Sequence, residues 1–171
     1  MNEYTMPGTG ASVGAIAFDY GGTLARGRID HELGQRPVDS TVIGALRALH
    51  RAGVRLLLAS NTLPGETRWP ALQKANVHTL FSAALLSYPL GVAKPEKRFY
   101  DLVAAAAGCP RDRVLCVGDH LINDVEAPLA CGLGAVLIRP NGLLPTEELP
   151  QGAVTVSDVA ALPGLLARHV S

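Results

Sequence analysis

The sequence of 171 residues has no excess of charge of either sign. Fifteen lysine and arginine residues balance fifteen aspartate and glutamate residues, which gives a formal net charge of zero at pH 7. A neutral molecule has no long-range field that would attract it to nucleic acid or to an anionic membrane. We therefore do not expect nucleic acid as a substrate, and any anion that the protein handles must be held by a local site.

Cysteine is scarce as well, and no long apolar run is present. Cys109, Cys116 and Cys131 are odd in number and have neither CxxC nor zinc-finger spacing, so we interpret them as reduced thiols. The first ten residues contain no basic side chain. No apolar run reaches the roughly 18 to 20 residues of a membrane span. We therefore expect a soluble cytoplasmic protein without a membrane span.

The composition is that of a folded protein. Hydrophobic residues make up 48% of the chain and charged residues 18%, which is neither a disordered nor a fibrous composition. A chain of this length can bury one core. Residues 1–12 are polar and contain glycine and proline, so we expect them to form a flexible tail. We expect residues 13–171 to form a single domain.

Continuous apolar runs alternate with segments of helical periodicity along the chain. Because continuously apolar strands are buried on both faces, this pattern predicts an α/β fold with a mostly parallel sheet and helices on both faces. The predicted strands lie at residues 13–18, 54–59, 83–86, 114–117, 135–138 and 153–156. The predicted helices lie at residues 40–52, 71–75, 96–107, 124–130 and 159–169.

Polar residues stand at strand ends or in the loops that follow, at Asp19, Ser60, Lys94 and Asp119. In parallel sheets, ligands bind at the carboxyl ends of the strands, so these side chains can converge. Two carboxylates repel each other unless a cation lies between them, and Mg²⁺ is usually bound by one or two carboxylates plus substrate phosphate oxygens. Asp19 and Asp119 therefore form a candidate Mg²⁺ pair. An aspartate can also attack phosphorus and form an aspartyl-phosphate.

The tight turn after the first strand is suited to a phosphoryl group. Its backbone N–H groups can surround phosphoryl oxygens, and nearby hydroxyl and ammonium groups can complete the charge balance. These groups are the N–H groups of Tyr20, Gly21 and Gly22, the hydroxyls of Thr23 and Ser60, and the ammonium of Lys94.

The ordered set of residues resembles the haloacid dehalogenase (HAD) superfamily, most of whose members are Mg²⁺-dependent phosphatases and phosphotransferases. The family's four motifs resemble residues 19–24 (Asp-Tyr-Gly-Gly-Thr-Leu), Ser60-Asn61, Lys94-Pro95, and Gly118-Asp119 with Asp124. The resemblance covers roughly residues 13–139 and implies a three-layer, Rossmann-like fold. It implies that Asp19 is the nucleophile. It also implies that Ser60, Asn61 and Lys94 bind the phosphoryl group, and that Mg²⁺ is held by Asp19, the Gly21 carbonyl, Asp119 and Asp124.

Gly21 departs from the family pattern. In the family's phosphatases the second residue after the nucleophile is usually an aspartate, which protonates the leaving group and later activates water. Glycine has no side chain to carry a proton, and positioned acid–base catalysis is typically worth ~10²–10⁴-fold. Three accounts stay open. His120 or His31 supplies the proton, the substrate is an acyl phosphate whose leaving group needs no acid, or the site binds without turnover.

The sequence leaves no room for a cap domain at either place where the family inserts one. Only residues 24–59 lie between Thr23 and Ser60, and only residues 61–93 lie between Ser60 and Lys94. The predicted core elements fill most of both segments. Capless relatives tend to act on large substrates or to use a second subunit or a partner protein as a lid. The loop at residues 24–37 contains Arg26, Arg28 and Arg36, which either contact an anionic substrate or are solvated.

Our leading hypothesis is an Mg²⁺-dependent phosphohydrolase or phosphotransferase that acts through an aspartyl-phosphate at Asp19. Its substrate is a phosphorylated small molecule or a phosphoryl group carried on a macromolecule. The alternative is a catalytically impaired HAD-like domain that binds a phosphorylated ligand or partner protein. A third hypothesis is hydrolysis of a C–halogen or C–P bond, because family branches with those activities also lack the second aspartate.

Overall fold

A computed structural model describes residues 4–167 of the chain. Within that range the backbone forms one six-stranded sheet in which every neighbouring pair of strands is parallel. The strands are β1 (Ala15–Phe18), β2 (Arg55–Ser60), β3 (Phe81–Leu86), β4 (Val114–Gly118), β5 (Gly134–Ile138) and β6 (Val154–Val156). Their order across the sheet is β3-β2-β1-β4-β5-β6.

Helices and helical turns connect the strands and cover both faces of the sheet. The α-helices are α1 (Ser40–Arg51), α2 (Trp69–Lys74), α3 (Ser87–Leu90), α4 (Lys97–Ala107), α5 (Ala127–Ala130) and α6 (Leu162–Leu166). Short 3₁₀ turns lie at His78–Leu80, Arg111–Arg113 and Val159–Ala161, and a π-helical turn lies at Leu121–Glu126. The predicted α/β fold with a parallel sheet is confirmed. No helix in the described range is long and apolar enough to cross a membrane.

Alternate side chains of each central strand enter two different cores. Ile16 and Phe18 of β1 pack with α1, α2 and α6 on one face. Ala15 and Ala17 of the same strand pack with α4 on the other face, where Phe99 is fully buried. This burial on both faces explains why the sequence of β1 is apolar at every position.

The strand order places a topological switch point at β1. From β1 the chain first builds β2 and β3 on one side and then crosses to build β4, β5 and β6 on the other. Phe18, the last residue of β1, is therefore paired with Leu58 of β2 and Val117 of β4. In open α/β sheets the ligand crevice forms outside the carboxyl ends of the strands at such a point. Asp19 lies directly at that crevice.

The N-terminal segment differs from the prediction. Residues 4–12 are not a flexible tail, because Tyr4 and Met6 are buried in the core and Thr5 donates a backbone hydrogen bond of 2.8 Å to the Leu166 carbonyl. Burial of these two large side chains outweighs the polar character of the rest of the segment. The rest of the predicted tail, residues 1–3, lies outside the described residues. So do residues 168 and 169, the predicted end of the last helix.

The segment after β4 also differs from the predicted helix at residues 124–130. Asp124 does not begin a helix but lies inside the π-helical turn Leu121–Glu126, which continues into α5. The Asp124 carboxylate accepts a hydrogen bond of 3.0 Å from the His120 N–H, and the Asp124 N–H donates to the His120 carbonyl at 2.8 Å. These contacts pull the turn back towards the end of β4 and bury Asp124.

Candidate active site

Lys94 connects two carboxylates at the carboxyl edge of the sheet. Its ammonium Nζ lies 3.1 Å from Oδ1 of Asp19 and 2.8 Å from Oδ1 of Asp124. Asp19 follows β1, Lys94 lies in the loop between α3 and α4, and Asp124 lies in the turn after β4. The fold therefore brings together residues that are 75 and 30 positions apart in sequence.

A third carboxylate, Asp119, completes an acidic cluster with Asp19 and Asp124. One carboxylate oxygen from each lies within 4.8 Å of the others. Three ionised carboxylates and one ammonium leave two uncompensated negative charges, which suits a divalent cation. Oxygen ligands from carboxylates are those that Mg²⁺ prefers. The residues present therefore fit the ion that the resemblance implies.

The ionisation of this cluster follows from its burial. Burial raises the pKa of the Asp19 carboxyl to about 7; the Lys94 ammonium opposes this rise, and the charges of Asp124 and Asp119 add to it. Burial alone would lower the pKa of Lys94, but the carboxylates of Asp19 and Asp124 outweigh it and raise that pKa above its usual value. Lys94 therefore remains a cation, and a further cation in the cluster would favour the ionised form of Asp19.

Two glycines allow the carboxylates to approach the backbone. A Cβ atom on Gly22 would overlap the Asp119 carboxylate, and one on Gly118 would overlap the carboxylate of Asp124. Gly22 also has a φ of +79°, which residues with a side chain rarely adopt. The second glycine of the first motif is therefore required by the geometry of the cluster.

Gly21 has the opposite surroundings. A Cβ atom on Gly21 would meet no other atom within 4 Å, and the residue does not have a positive φ. Neither the packing nor the backbone conformation therefore requires a glycine at position 21.

The turn offers fewer free N–H groups than the sequence predicted. Gly22 donates its N–H to the Ala25 carbonyl at 3.0 Å, so this group is not free for a phosphoryl oxygen. The N–H groups of Tyr20 and Gly21 have no acceptor within the described part of the chain. The buried hydroxyl of Thr23 likewise has no hydrogen-bond partner there.

Ser60 is the last residue of β2 and Asn61 follows it, and the two residues make different contacts. The hydroxyl of Ser60 is buried at the base of the cleft and donates a hydrogen bond of 3.3 Å to the Asn61 carbonyl. The Asn61 amide group binds both backbone groups of Lys94, each at 3.0 Å. Asn61 thus positions the lysine, and phosphate binding by Asn61 stays a prediction.

The two histidines predicted as possible proton donors differ in their position relative to the cleft. His120 lines the same cleft as Asp19, and its Nδ1 accepts a hydrogen bond of 3.3 Å from the Asn123 N–H. His31 is exposed in the loop after β1 and does not line the cleft. Of the two histidines, only His120 lines the cleft, and a role in proton transfer stays a prediction.

Sequence reasoning missed two arginines. Arg68 lines the cleft, which has a volume of about 230 Å³, together with Asp19, Ser60 and Lys94. Arg139 donates a hydrogen bond to the Asp119 carbonyl and forms an ion pair with Glu147, which holds the pKa of that carboxyl well below its usual range. Arg139 directly follows β5, so the rule about strand ends could have found it. Arg68 comes eight residues after Ser60 and carries no comparable signal.

The model of the haloacid dehalogenase-like hydrolase family matches residues 28–132, which is more than half of the chain. The chain therefore belongs to this family. The matched range contains Ser60, Lys94, Asp119 and Asp124 and begins after Asp19. Together with the parallel sheet, the match confirms the predicted family, and the roles of the motif residues stay predictions.

Curated relatives in this family include phosphatases. The chain is 32% identical over 105 residues to a pyrimidine 5′-nucleotidase of Escherichia coli, covering 57% of this chain and 44% of the relative. It is 28% identical over 114 residues to a phosphoserine phosphatase of Thermus thermophilus, covering 67% and 45%. The chain thus spans less than half the length of these relatives.

Solved structures share the fold. A HAD phosphatase from Thermococcus onnurineus superposes with a TM-score of 0.69 at 15% identity, covering 88% of this chain and 96% of the other. At this level of identity the likeness concerns the fold.

Proposed function

We propose that the protein is an Mg²⁺-dependent phosphohydrolase or phosphotransferase that acts through an aspartyl-phosphate at Asp19. The observation that carries the proposal is the position of Lys94, whose ammonium binds both Asp19 and Asp124 beside Asp119. A buried cation between carboxylates at the edge of a parallel sheet is the arrangement expected for phosphoryl transfer. Phosphatase names among the relatives support the same class of reaction.

Asp19 is oriented for attack by its contact with Lys94. The ammonium holds Oδ1 at 3.1 Å, so Oδ2 is the oxygen that attacks phosphorus. A bond forms between Oδ2 and phosphorus while the bond from phosphorus to the leaving-group oxygen breaks, and that oxygen keeps the electron pair. Water, or an acceptor hydroxyl in a transferase, then attacks the same phosphorus and releases Asp19.

The remaining residues bind the transferred group. Ser60 and Lys94 donate hydrogen bonds to phosphoryl oxygens, and the free N–H groups of Tyr20 and Gly21 add further donors. Asp19, Asp119, Asp124 and the Gly21 carbonyl are the residues that would hold Mg²⁺. When bound, the ion supplies positive charge that offsets the carboxylates and the phosphoryl oxygens.

The test is release of inorganic phosphate from a panel of phosphate esters, phosphoanhydrides and acyl phosphates, with and without Mg²⁺. We expect release that chelation with EDTA abolishes and that Asp19→Asn removes. Asp112→Asn is the matched control, because Asp112 is an exposed aspartate outside the cleft. Absence of release from every member of the panel would contradict the proposal.

A binding domain without turnover is the second candidate, and the open position at Gly21 favours it. With no side chain there, the site keeps its phosphoryl-binding groups but lacks the usual acid. This candidate predicts Mg²⁺-dependent binding of beryllium fluoride, a phosphoryl mimic, by a protein that releases no phosphate. Calorimetry with beryllium fluoride, run beside the phosphate assay, separates the two candidates.

A further inference from the structure

Arg68 is a largely buried cation that is poorly satisfied by the rest of the chain. Only 14% of its side chain is exposed. One terminal nitrogen, Nη2, donates a long hydrogen bond of 3.4 Å to the Ser60 hydroxyl and lies 3.6 Å from a Glu66 carboxylate oxygen. The buried Nε has no hydrogen-bond partner in the described range.

The unpaired donors of Arg68 suit an anionic ligand. A guanidinium has five N–H donors, and burial of a charged donor is costly unless it is hydrogen-bonded. Within residues 4–167, Arg68 uses a single donor in a hydrogen bond. An anion in the cleft would supply the acceptors that the chain does not.

The guanidinium is held in one orientation. It lies over the Tyr20 ring, 4.7 Å from the centroid, where a cation is attracted to the ring face. The ring is fixed in turn, because the Tyr20 hydroxyl donates a hydrogen bond to the Arg36 carbonyl. Arg68 is therefore prepared for a ligand at one place.

That place is beside Gly21, on the border between two clefts. Gly21 and Arg68 both line the cleft of about 230 Å³ that contains Asp19. Both also line a second cleft of about 210 Å³, together with Tyr20, Ile29 and Gln35. Apart from its chain neighbours, no atom lies within 4 Å of the position that a Cβ atom on Gly21 would take. A substrate with phosphorus at Asp19 can therefore extend past Gly21 into the second cleft.

On the basis of the proposed function, we infer that Arg68 binds the leaving-group oxygen of the substrate and offsets the negative charge that forms on it. The guanidinium takes over the electrostatic part of the work that an acid at residue 21 would do. It cannot transfer a proton, because arginine stays protonated at all relevant pH values. The leaving group therefore departs as an anion, with the electron pair of the broken bond to phosphorus.

This chemistry selects the substrate class. Acyl phosphates and phosphoanhydrides release a carboxylate or a phosphate, which are weak bases that need no proton. Their planar or branched oxygens also match the fork of a guanidinium. Alkyl phosphate esters release an alkoxide, so they react slowly at this site. We assign acyl phosphates or phosphoanhydrides as the substrate class.

The kinetic test compares wild type with Arg68→Gln on acetyl phosphate and on aryl phosphates whose phenols differ in acidity. Removing one donor to a developing negative charge typically lowers kcat by about 10²–10³-fold. We expect a loss of this order in kcat, and the loss should grow as the leaving group becomes more basic. Formation of the aspartyl-phosphate, seen as the burst phase, should slow, whereas its hydrolysis should not. Arg68→Lys keeps the charge and should lose less. Arg98→Gln, an exposed arginine on α4, is the control.

A binding test needs no turnover and separates this inference from the proposed function. It uses the Asp19→Asn protein, with and without Arg68→Gln, and compares pyrophosphate with orthophosphate by calorimetry. We expect Arg68→Gln to weaken binding of pyrophosphate at least about tenfold, because one charge-assisted hydrogen bond is lost. Binding of orthophosphate should change little. Equal weakening of both ligands, no weakening, or a loss of kcat that is uniform across the aryl phosphates would overturn the inference.

Discussion

The cleft has two halves that differ in how completely their charged groups are satisfied. In the carboxylate half (Asp19, Lys94, Asp119, Asp124), Lys94 binds two aspartates and is buried. In the arginine half (Gly21, Arg68 and the second cleft), a buried guanidinium makes one long hydrogen bond and residue 21 leaves free space. The cation of the first half is therefore well paired by the protein, and the cation of the second half is not.

The glycines show the same difference at single residues. Gly22 and Gly118 lie against carboxylates so closely that neither position has room for a Cβ atom, whereas Gly21 has room for a side chain. A side chain at Gly22 or Gly118 must therefore displace a carboxylate of the cluster, and a Cβ atom at Gly21 need not. We expect the carboxylate half to fix the reaction and the arginine half to select the substrate, which the following predictions test.

The largest effect is expected from Lys94→Met. The change removes the cation between two buried carboxylates, and breaking a buried ion pair in this way costs about 3–5 kcal/mol in the free energy of unfolding. Urea unfolding measures the loss. Added Mg²⁺ should restore part of the stability, because a divalent cation offsets the same charges.

The control for Lys94→Met is Lys97→Met, an exposed lysine that pairs with Asp101 one helical turn away. We expect it to leave the unfolding midpoint unchanged, because exposed pairs contribute little. Similar losses in the two variants would show that the carboxylate half is not held by Lys94.

The next effect compares Gly22→Ala with Gly21→Ala. In Gly22→Ala, overpacking against Asp119 costs about 1–3 kcal/mol and the left-handed backbone costs about 1–2 kcal/mol. We expect the free energy of unfolding to fall by this amount, and Mg²⁺-dependent activity to fall by roughly 10²-fold because a misplacement of about 1 Å in an active-site group can cost that much. Gly21→Ala meets no atom and should retain activity within a few-fold. Phosphate release and unfolding curves are measured for both variants. Equal effects would contradict the expected difference between the two glycines.

A gain of function is expected from Gly21→Asp. A Cβ atom at residue 21 would meet no atom within 4 Å beyond its chain neighbours, so we expect the position to accept an aspartate, which would add the acid that the site lacks. We expect turnover of alkyl phosphate esters to rise about tenfold to a hundredfold, part of the ~10²–10⁴-fold typical of positioned acid–base catalysis. Gly21→Asn has the same size and no acidic proton, so it is the matched control. An equal gain in Gly21→Asn would mean that the acid is not the cause.

The smallest effect is expected from Asn61→Ala. The amide of Asn61 makes two hydrogen bonds of 3.0 Å with the backbone of Lys94, and because Asn61 is exposed, water can replace them. We expect a loss of about 1 kcal/mol in the free energy of unfolding. Asn141→Ala, in the exposed loop after β5, should cause none. A much larger loss would contradict the expectation that water replaces these two hydrogen bonds.

The sequence predicted the architecture and most of the candidate site. Six apolar runs identified six strands within a few residues, and residues at or after strand ends identified Asp19, Ser60, Lys94 and Asp119. The prediction of the strands succeeded because a strand buried on both faces leaves a local apolar pattern. The roles of the four polar residues stay predictions. The predictions of a flexible N-terminal tail and of a helix that begins at Asp124 were wrong. Both segments depend on long-range contacts, with the core and with the His120 backbone, that no local pattern records.

The sequence by itself determined which residues have reactive side chains and which strands deliver them. Only the tertiary structure decided that β1 pairs with β4, which sets Asp19 beside Asp119, and that Gly22 and Gly118 have no room for a side chain while Gly21 does. It also placed Arg68 over Tyr20 beside the open position. Strand order and side-chain packing join residues that are far apart in the chain, so their energies depend on neighbours that the local sequence does not contain.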